Sequence, residues 1–86
     1  MTRIPDFYFN GHEVGYFRTD GIYPREPGHY RFEAYRGPGH YDFIEEISRA
    51  GSARCYFIDG IQRVSFTARE TKDELELSDF HEEPVA

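Results

Sequence analysis

The chain has 86 residues, enough for one domain, and a chain of this size buries only about 60% of its unfolded surface. Its formal net charge of -6 disfavours DNA or RNA as partners, because binding to a polyanion is driven by cationic contacts. A single cysteine, Cys55, excludes an internal disulfide, and no apolar run is long enough to span a membrane. We therefore expect a cytoplasmic protein with no nucleic-acid or membrane partner.

The N-terminal pattern predicts a β-hairpin followed by a loop. Aromatic segments at 7–9 and 14–17 flank Asn10-Gly11, a dipeptide that readily takes the positive φ angles of a two-residue turn. Residues 19–28 contain two prolines and two glycines, which interrupt regular hydrogen bonding. We predict that this segment is an irregular loop.

Apolar and polar side chains alternate over residues 29–35, which predicts one half-buried strand. The next segment, 41–49, fits two structures. It could form a short helix near 42–50, with Asp42 as N-cap and Gly51 ending it. As a strand, the same segment would leave one charged residue on its apolar face and one apolar residue on its polar face. Both alternatives stay open at this point.

A second hairpin is predicted from Ala53–Ile58 and Ile61–Ala68, which carry β-branched and aromatic residues on either side of Asp59-Gly60. The segment 74–80 alternates acidic residues with leucines, a pattern typical of an edge strand with a charged outer face. The last residues, 81–86, are predicted to form an acidic, frayed tail.

These elements predict a mainly β domain over residues 1–80. We expect a small open barrel or sandwich of five to six mostly antiparallel strands, with an optional short helix near 42–50. The order of a hairpin, a long loop and several short strands is similar in layout to an SH3-like barrel. A shared layout of this kind says little about function.

A short internal repeat is the most distinctive feature of the chain. Residues 25–32 (Arg-Glu-Pro-Gly-His-Tyr-Arg-Phe) recur as 36–43 (Arg-Gly-Pro-Gly-His-Tyr-Asp-Phe), with six of eight positions identical. We predict two similar Pro-Gly bends, each delivering a His-Tyr pair into the following element. In a structural interpretation, the rings enter the core and the imidazoles bind loop carbonyls. In a functional one, the two copies line a partner-binding groove formed by Arg25, His29, Tyr30, Arg36, His40 and Tyr41.

Two classes of function follow from these residues. The first is a protein-interaction or inhibitor-like module that acts through the aromatic and histidine-rich loops or through the acidic edge, with another protein as partner. A homodimer formed through an edge strand is a further possibility. The second is a small hydrolase or lyase with His29 and His40 as acid and base, although no catalytic motif accompanies them. The scattered histidines lack metal-ligand spacing, so we expect no metal and no cofactor.

Overall fold

The computed structural model describes residues 4–85, which form seven antiparallel strands in one sheet and a single helix. The fold class is confirmed as mainly β, in a nearly closed barrel, although the strands number seven instead of five to six. In chain order the elements are β1 (Asp6–Phe9), β2 (His12–Phe17), β3 (Gly28–Tyr30), β4 (Phe32–Ala34), α1 (Pro38–Ala50), β5 (Ala53–Asp59), β6 (Gln62–Glu70) and β7 (Leu75–Pro84).

The sheet closes because one short segment pairs with both of its ends. The strand order is β3-β7-β6-β5-β1-β2-β4, so β3 and β4 lie at opposite ends although only Arg31 separates them in the chain. Gly28 pairs with Leu77 of β7, whereas Phe32 pairs with Phe17 of β2. The single strand predicted over residues 29–35 is therefore two strands, because the chain changes partner at Arg31.

Both predicted hairpins are present. The first turns at Asn10 and Gly11, whose φ angles of 53° and 81° are those of a type I′ turn. In the second, Asp59 pairs with Gln62, so the turn consists of Gly60 and Ile61. The predicted turn at Asp59-Gly60 lies one residue too early, because Gly60, with φ 65°, supplies the positive angle at the first turn position.

The barrel interior is filled by phenylalanine rings from strands far apart in the chain. Phe7 stacks on Phe17 with ring centroids 4.6 Å apart and meets the edge of Phe43 from α1 at 6.0 Å. At another part of the core, Tyr23 from the loop between β2 and β3 stacks on Phe57 at 4.4 Å. The buried core comprises Phe7, Phe9, Val14, Phe17, Phe43, Ala53, Cys55, Phe57, Val64, Phe66, Ala68, Leu75 and Leu77.

Helix α1 confirms the helical alternative but begins earlier than predicted. Its N-cap is Gly37 and Pro38 is in the first turn, so Asp42, the predicted N-cap, lies inside the helix. Proline is well suited to the first helical turn, because its fixed φ is helical and that turn needs no N–H donor. The predicted end is confirmed, since Gly51 adopts the left-handed conformation and donates its N–H to the Ile47 carbonyl at 2.8 Å.

The two copies of the repeat have different secondary structures, so the prediction of two similar bends is wrong. Residues 28–30 belong to β3 and pair with β7, whereas residues 39–41 lie in the first turns of α1. Neither Gly28 nor Gly39 has a positive φ. The same Gly-His-Tyr sequence therefore takes the conformation that its neighbours impose.

Strand β7 extends past position 80, where the tail was predicted to begin. A register shift near Asp79, which has a φ of 53°, is followed by further pairing with β6 as far as Pro84. The Val85 N–H then donates to the Ile61 carbonyl at 2.7 Å. Alternation along this ladder turns the ring nitrogen of Pro84 away from β6, where no donor is needed. Residues 1–3 of the predicted domain and residue 86 of the predicted tail lie outside the described residues.

We predict that removing residues 81–86 destabilises the fold. The truncation deletes the pairing of β7 with Gln62–Ser65, and each backbone hydrogen bond contributes about 0.5–1.5 kcal/mol net. The free energy of unfolding in urea should fall by about 2 kcal/mol or more. Glu82→Gln, which alters only an exposed ion pair, should cost less than about 1 kcal/mol. Equal stability of the truncated and full-length chains would contradict the ladder.

The two repeat glycines provide a matched pair of substitutions. A Cβ added to Gly39 would lie 2.1 Å from the backbone carbonyl oxygen of Glu13, whereas one added to Gly28 would meet no atom closer than 3.7 Å. Gly39→Ala should therefore lower the free energy of unfolding by about 1–3 kcal/mol, although alanine favours a helix. Gly28→Ala should change it by less than about 0.5 kcal/mol. The opposite ranking in urea denaturation would show that α1 does not pack closely on β2.

Candidate functional site

The structure places the predicted site residues on three parts of the chain: the loop before β3, strand β3, and the segment that leads into α1. Arg25, in the loop before β3, donates to Asp59 and to Glu82, both at 2.5 Å. Its guanidinium also lies 5.8 Å from the centre of the Phe57 ring. These contacts fix the loop to the ends of β5 and β7 and use the planar donors of Arg25 within the protein.

The His-Tyr pair of the first copy lies on β3. The Tyr30 hydroxyl donates to the Glu26 carbonyl at 2.6 Å, and its ring meets the edge of Phe17. His29 is exposed on the outside of the sheet, with its ring nitrogens 4.0 Å from a Glu74 oxygen and 3.7 Å from a Glu76 oxygen. Tyr30 therefore supports the loop, while His29 lies beside acidic side chains.

The second copy lies in the segment just before α1 and in its first turns. The His40 and Tyr41 rings are adjacent, with centroids 6.1 Å apart, and Tyr41 is 69% exposed. Arg36 lines a cleft of about 360 Å³ with Tyr8, Glu13 and neighbouring residues. Its guanidinium makes no hydrogen bond or ion pair with any residue in the described range 4–85.

His29 and His40 lie on different elements and have different neighbours. Four surface clefts formed by the described residues include neither histidine in their walls. The acid-base hypothesis for these two side chains stays a prediction from the sequence.

A surface that the sequence analysis did not single out carries four of the seven tyrosines. We call it the tyrosine face, and it lies on the outside of β2, β1 and β5. Tyr8 pairs with Tyr56 across β1 and β5, and Tyr16 lies on the neighbouring strand β2. Tyr35 follows β4 and packs on Tyr16. The tyrosine face thus consists of Tyr8, Tyr16, Tyr35 and Tyr56.

Stacking orders the half of this face formed by β1 and β5. The rings of Tyr8 and Tyr56 lie nearly parallel, with centroids 5.3 Å apart and an interplanar angle of 16°. Arg63 from β6 places its guanidinium 4.4 Å from the centre of the Tyr56 ring. Partial burial, followed by the nearby Glu13 carboxylate, raises the pKa of Tyr8. This hydroxyl is therefore a neutral donor at physiological pH.

A hydrogen bond orders the other half. The Tyr35 hydroxyl donates to the Asp6 carboxylate at 2.5 Å, and the Tyr35 ring lies 5.7 Å from that of Tyr16. Desolvation and this hydrogen bond raise the pKa of Tyr35 well above its usual value. The Asp6 contact therefore fixes both the ring and the proton of Tyr35.

The sequence contained a signal for this face. Tyr8 lies between two inward phenylalanines, and Tyr56 lies between buried Cys55 and Phe57. A tyrosine at an outward position of a strand places a large ring on the surface of the sheet and not in the core. Its neighbours on other strands could not be identified without the sheet order.

The thiol of Cys55 and the possible metal ligands do not form a second candidate site within residues 4–85. Cys55 is 1% exposed, and burial strongly raises the pKa of its thiol, as expected for a small buried apolar residue. Within residues 4–85, no three His, Cys, Asp or Glu side chains are grouped to hold a metal ion. The same range contains no helix long and apolar enough to cross a membrane.

Comparison with protein-family models, with curated proteins and with solved structures finds no match to this chain. The tyrosine face therefore rests on the geometry of this chain alone.

We predict that Tyr35 makes the protein sensitive to alkaline pH. Its folded pKa is raised above the unfolded value of 10.0, so above about pH 10 the unfolded chain loses this proton first. The stabilisation that Tyr35 contributes is fully present below that value and is lost as the pH rises through the folded pKa. Urea denaturation from pH 8 to 11 should show a steeper loss for the wild type than for Tyr35→Phe. Identical slopes would contradict the role of the Asp6 contact.

Proposed function

We propose that this chain is a protein-binding module that presents the tyrosine face to a partner protein with a basic contact surface. The observation that carries the proposal is the outward stacking of Tyr8 on Tyr56, continued by Arg63. Tyrosine and arginine are enriched among the residues that contribute most to protein–protein binding. The proposal keeps the binding function predicted from the sequence and moves its centre from the repeat loops to the sheet.

The rings of this face are ordered before any partner arrives. Tyr8 and Tyr56 are held by each other, and Tyr35 by Asp6. Association costs entropy for every side chain that it immobilises, about 0.5–1.5 kcal/mol each. Rings already fixed on a closed sheet avoid most of that cost, which favours them as a contact surface.

Although Arg36 and Arg63 also lie at the face, its carboxylates favour a basic partner. Carboxylates of Asp6 and Glu13 lie near Tyr8 and raise its pKa, and Asp20 lines a cleft with Tyr16 and Tyr35. The chain as a whole carries a net charge of -6. Complementary charge accelerates encounter with the correct partner and repels like-charged ones.

On the two alternative surfaces, the repeat and the acidic edge, several polar side chains already pair with groups of the same chain. Arg25 and Tyr30 of the repeat stabilise the loop before β3. On the acidic edge, Glu76 lies 3.9 Å from Arg69 and Glu82 pairs with Arg25. An edge-to-edge homodimer through the end of β7 would bring Glu82 and its copy close together, which opposes that arrangement.

The experiment compares affinity capture from an extract of the source cells by three proteins. They are the wild type, the double variant Tyr8→Ser/Tyr56→Ser, and the control Tyr41→Ser, which removes a ring that is 69% exposed on α1. The wild type and the control should retain the same protein, and the double variant should retain at least about tenfold less. Raising the salt from about 0.1 to 0.5 M should weaken capture, because it screens the charges.

Thermal melts serve as the control for folding. The double variant loses one stacked pair, worth about 0.5–1.5 kcal/mol, and also the area that its two half-buried rings cover, so its Tm will fall. Capture is therefore compared at a temperature at which the melts show all three proteins folded. Equal capture by all three proteins would exclude the tyrosine face. Loss of capture with Tyr41→Ser alone would instead favour the second copy of the repeat.

A further inference from the structure

A cleft of about 440 Å³ adjoins the tyrosine face and shares two of its rings. Its volume lies within the usual range of small-ligand pockets, about 300–1,000 Å³. Its lining is largely apolar and aromatic, with one charged side chain among the described residues. The wall comprises Ile4, Pro5, Tyr16, Phe17 and Tyr35, with Asp20 and the adjacent Gly21.

The aromatic wall is held in place by contacts among its own residues and with Asp6. The Asp6 carboxylate accepts a hydrogen bond from the Tyr35 hydroxyl, and the Tyr16 ring packs against that of Tyr35. The Phe17 N–H donates to the Pro5 carbonyl at 3.1 Å, which joins the segment before β1 to β2. The wall therefore does not need a ligand to form.

Asp20 is placed in the cleft by a tight turn. The Ile22 N–H donates to the Thr19 carbonyl at 3.1 Å, and Asp20 and Gly21 between them have φ angles of 56° and 82°. Aspartate tolerates this left-handed conformation better than most residues. The Asp20 carboxylate makes no hydrogen bond or ion pair with another residue of the range 4–85. A negative charge is thus left available beside an aromatic wall.

We propose that this cleft binds the alkylammonium group of a lysine side chain of the partner protein. The inference rests on the proposed function, because Tyr16 and Tyr35 belong to both surfaces. The methylenes of the lysine would pack on the apolar residues Ile4 and Pro5. The ammonium would lie against an electron-rich tyrosine ring, as in aromatic recognition of organic cations, and donate to Asp20 in a charge-assisted hydrogen bond.

The first test uses defined probes and the tyrosine ring signals in NMR. Butylammonium reproduces the lysine side chain from Cβ to the charged nitrogen, whereas 1-butanol lacks the charge and butyrate reverses it. Butylammonium should shift the signals of Tyr16 and Tyr35 with a dissociation constant on the order of 10 mM. Butanol should bind at least about fivefold more weakly, and butyrate should cause no shift. Equal binding of butanol, or no binding of butylammonium, would overturn the proposal.

The second test removes the charge at matched positions. Asp20→Asn keeps a side chain suited to the left-handed turn and should weaken butylammonium binding at least about fivefold. Asp42→Asn removes the same charge from an exposed position on α1 and should leave the binding unchanged. Unchanged affinity in Asp20→Asn, with an unchanged Tm, would overturn the assignment of Asp20.

The third test separates this inference from the proposed function. Capture of the partner by Asp20→Asn should fall, and acetylation of the partner's lysines should abolish capture by the wild type. If the acetylated partner is retained as before and only Tyr8→Ser/Tyr56→Ser loses it, the lysine site is wrong while the tyrosine face stands. If butylammonium binds as expected but the double variant captures the partner normally, the proposed function is wrong. In that case the cleft binds an organic cation, but its occupant is not a lysine of the partner protein.

Discussion

The change of partner at Arg31 is the constraint on which the rest of this structure depends. The three residues before it pair with β7 and the three after it pair with β2, so one segment joins both ends of the sheet. Closure removes most of the unpaired edge that an open sheet would present. It also divides every strand into an inner and an outer face, and that division separates the core from the candidate site.

The two aromatic residue types are sorted by this division. Phe7, Phe57 and Phe66 point inward, where a ring without a polar group loses nothing by burial. Tyr8 and Tyr56 point outward, where their rings stack on each other outside the core. A small domain rich in both residue types can thus fill its core and still display an ordered aromatic surface. Three of the four rings of the proposed binding surface therefore lie on paired strands and not on loops.

The loop between β2 and β3 links the fold to the proposed cleft. Tyr23 covers the core by stacking on Phe57, and Arg25 attaches the loop to the ends of β5 and β7. The turn that carries Asp20 directly precedes Tyr23 and is closed by the hydrogen bond from the Ile22 N–H to the Thr19 carbonyl. The loop that the sequence marks only as irregular therefore covers the core and also carries the charge of the cleft.

The sequence by itself determined the features that depend on local backbone chemistry. Asn10-Gly11 specifies a hairpin, Gly51 ends the helix in a left-handed conformation, and alternation specifies which residues of β5 point inward. Only the tertiary structure decided the features that depend on distant partners. Both copies carry Pro-Gly-His-Tyr, so local sequence does not distinguish them. Tertiary contacts do, because one copy pairs with β7 as a strand and the other packs Gly39 and Phe43 against the barrel as a helix. The tyrosine face likewise joins four rings from separate parts of the chain, and their proximity follows from the sheet order, which long-range hydrogen bonds fix and local patterns do not encode.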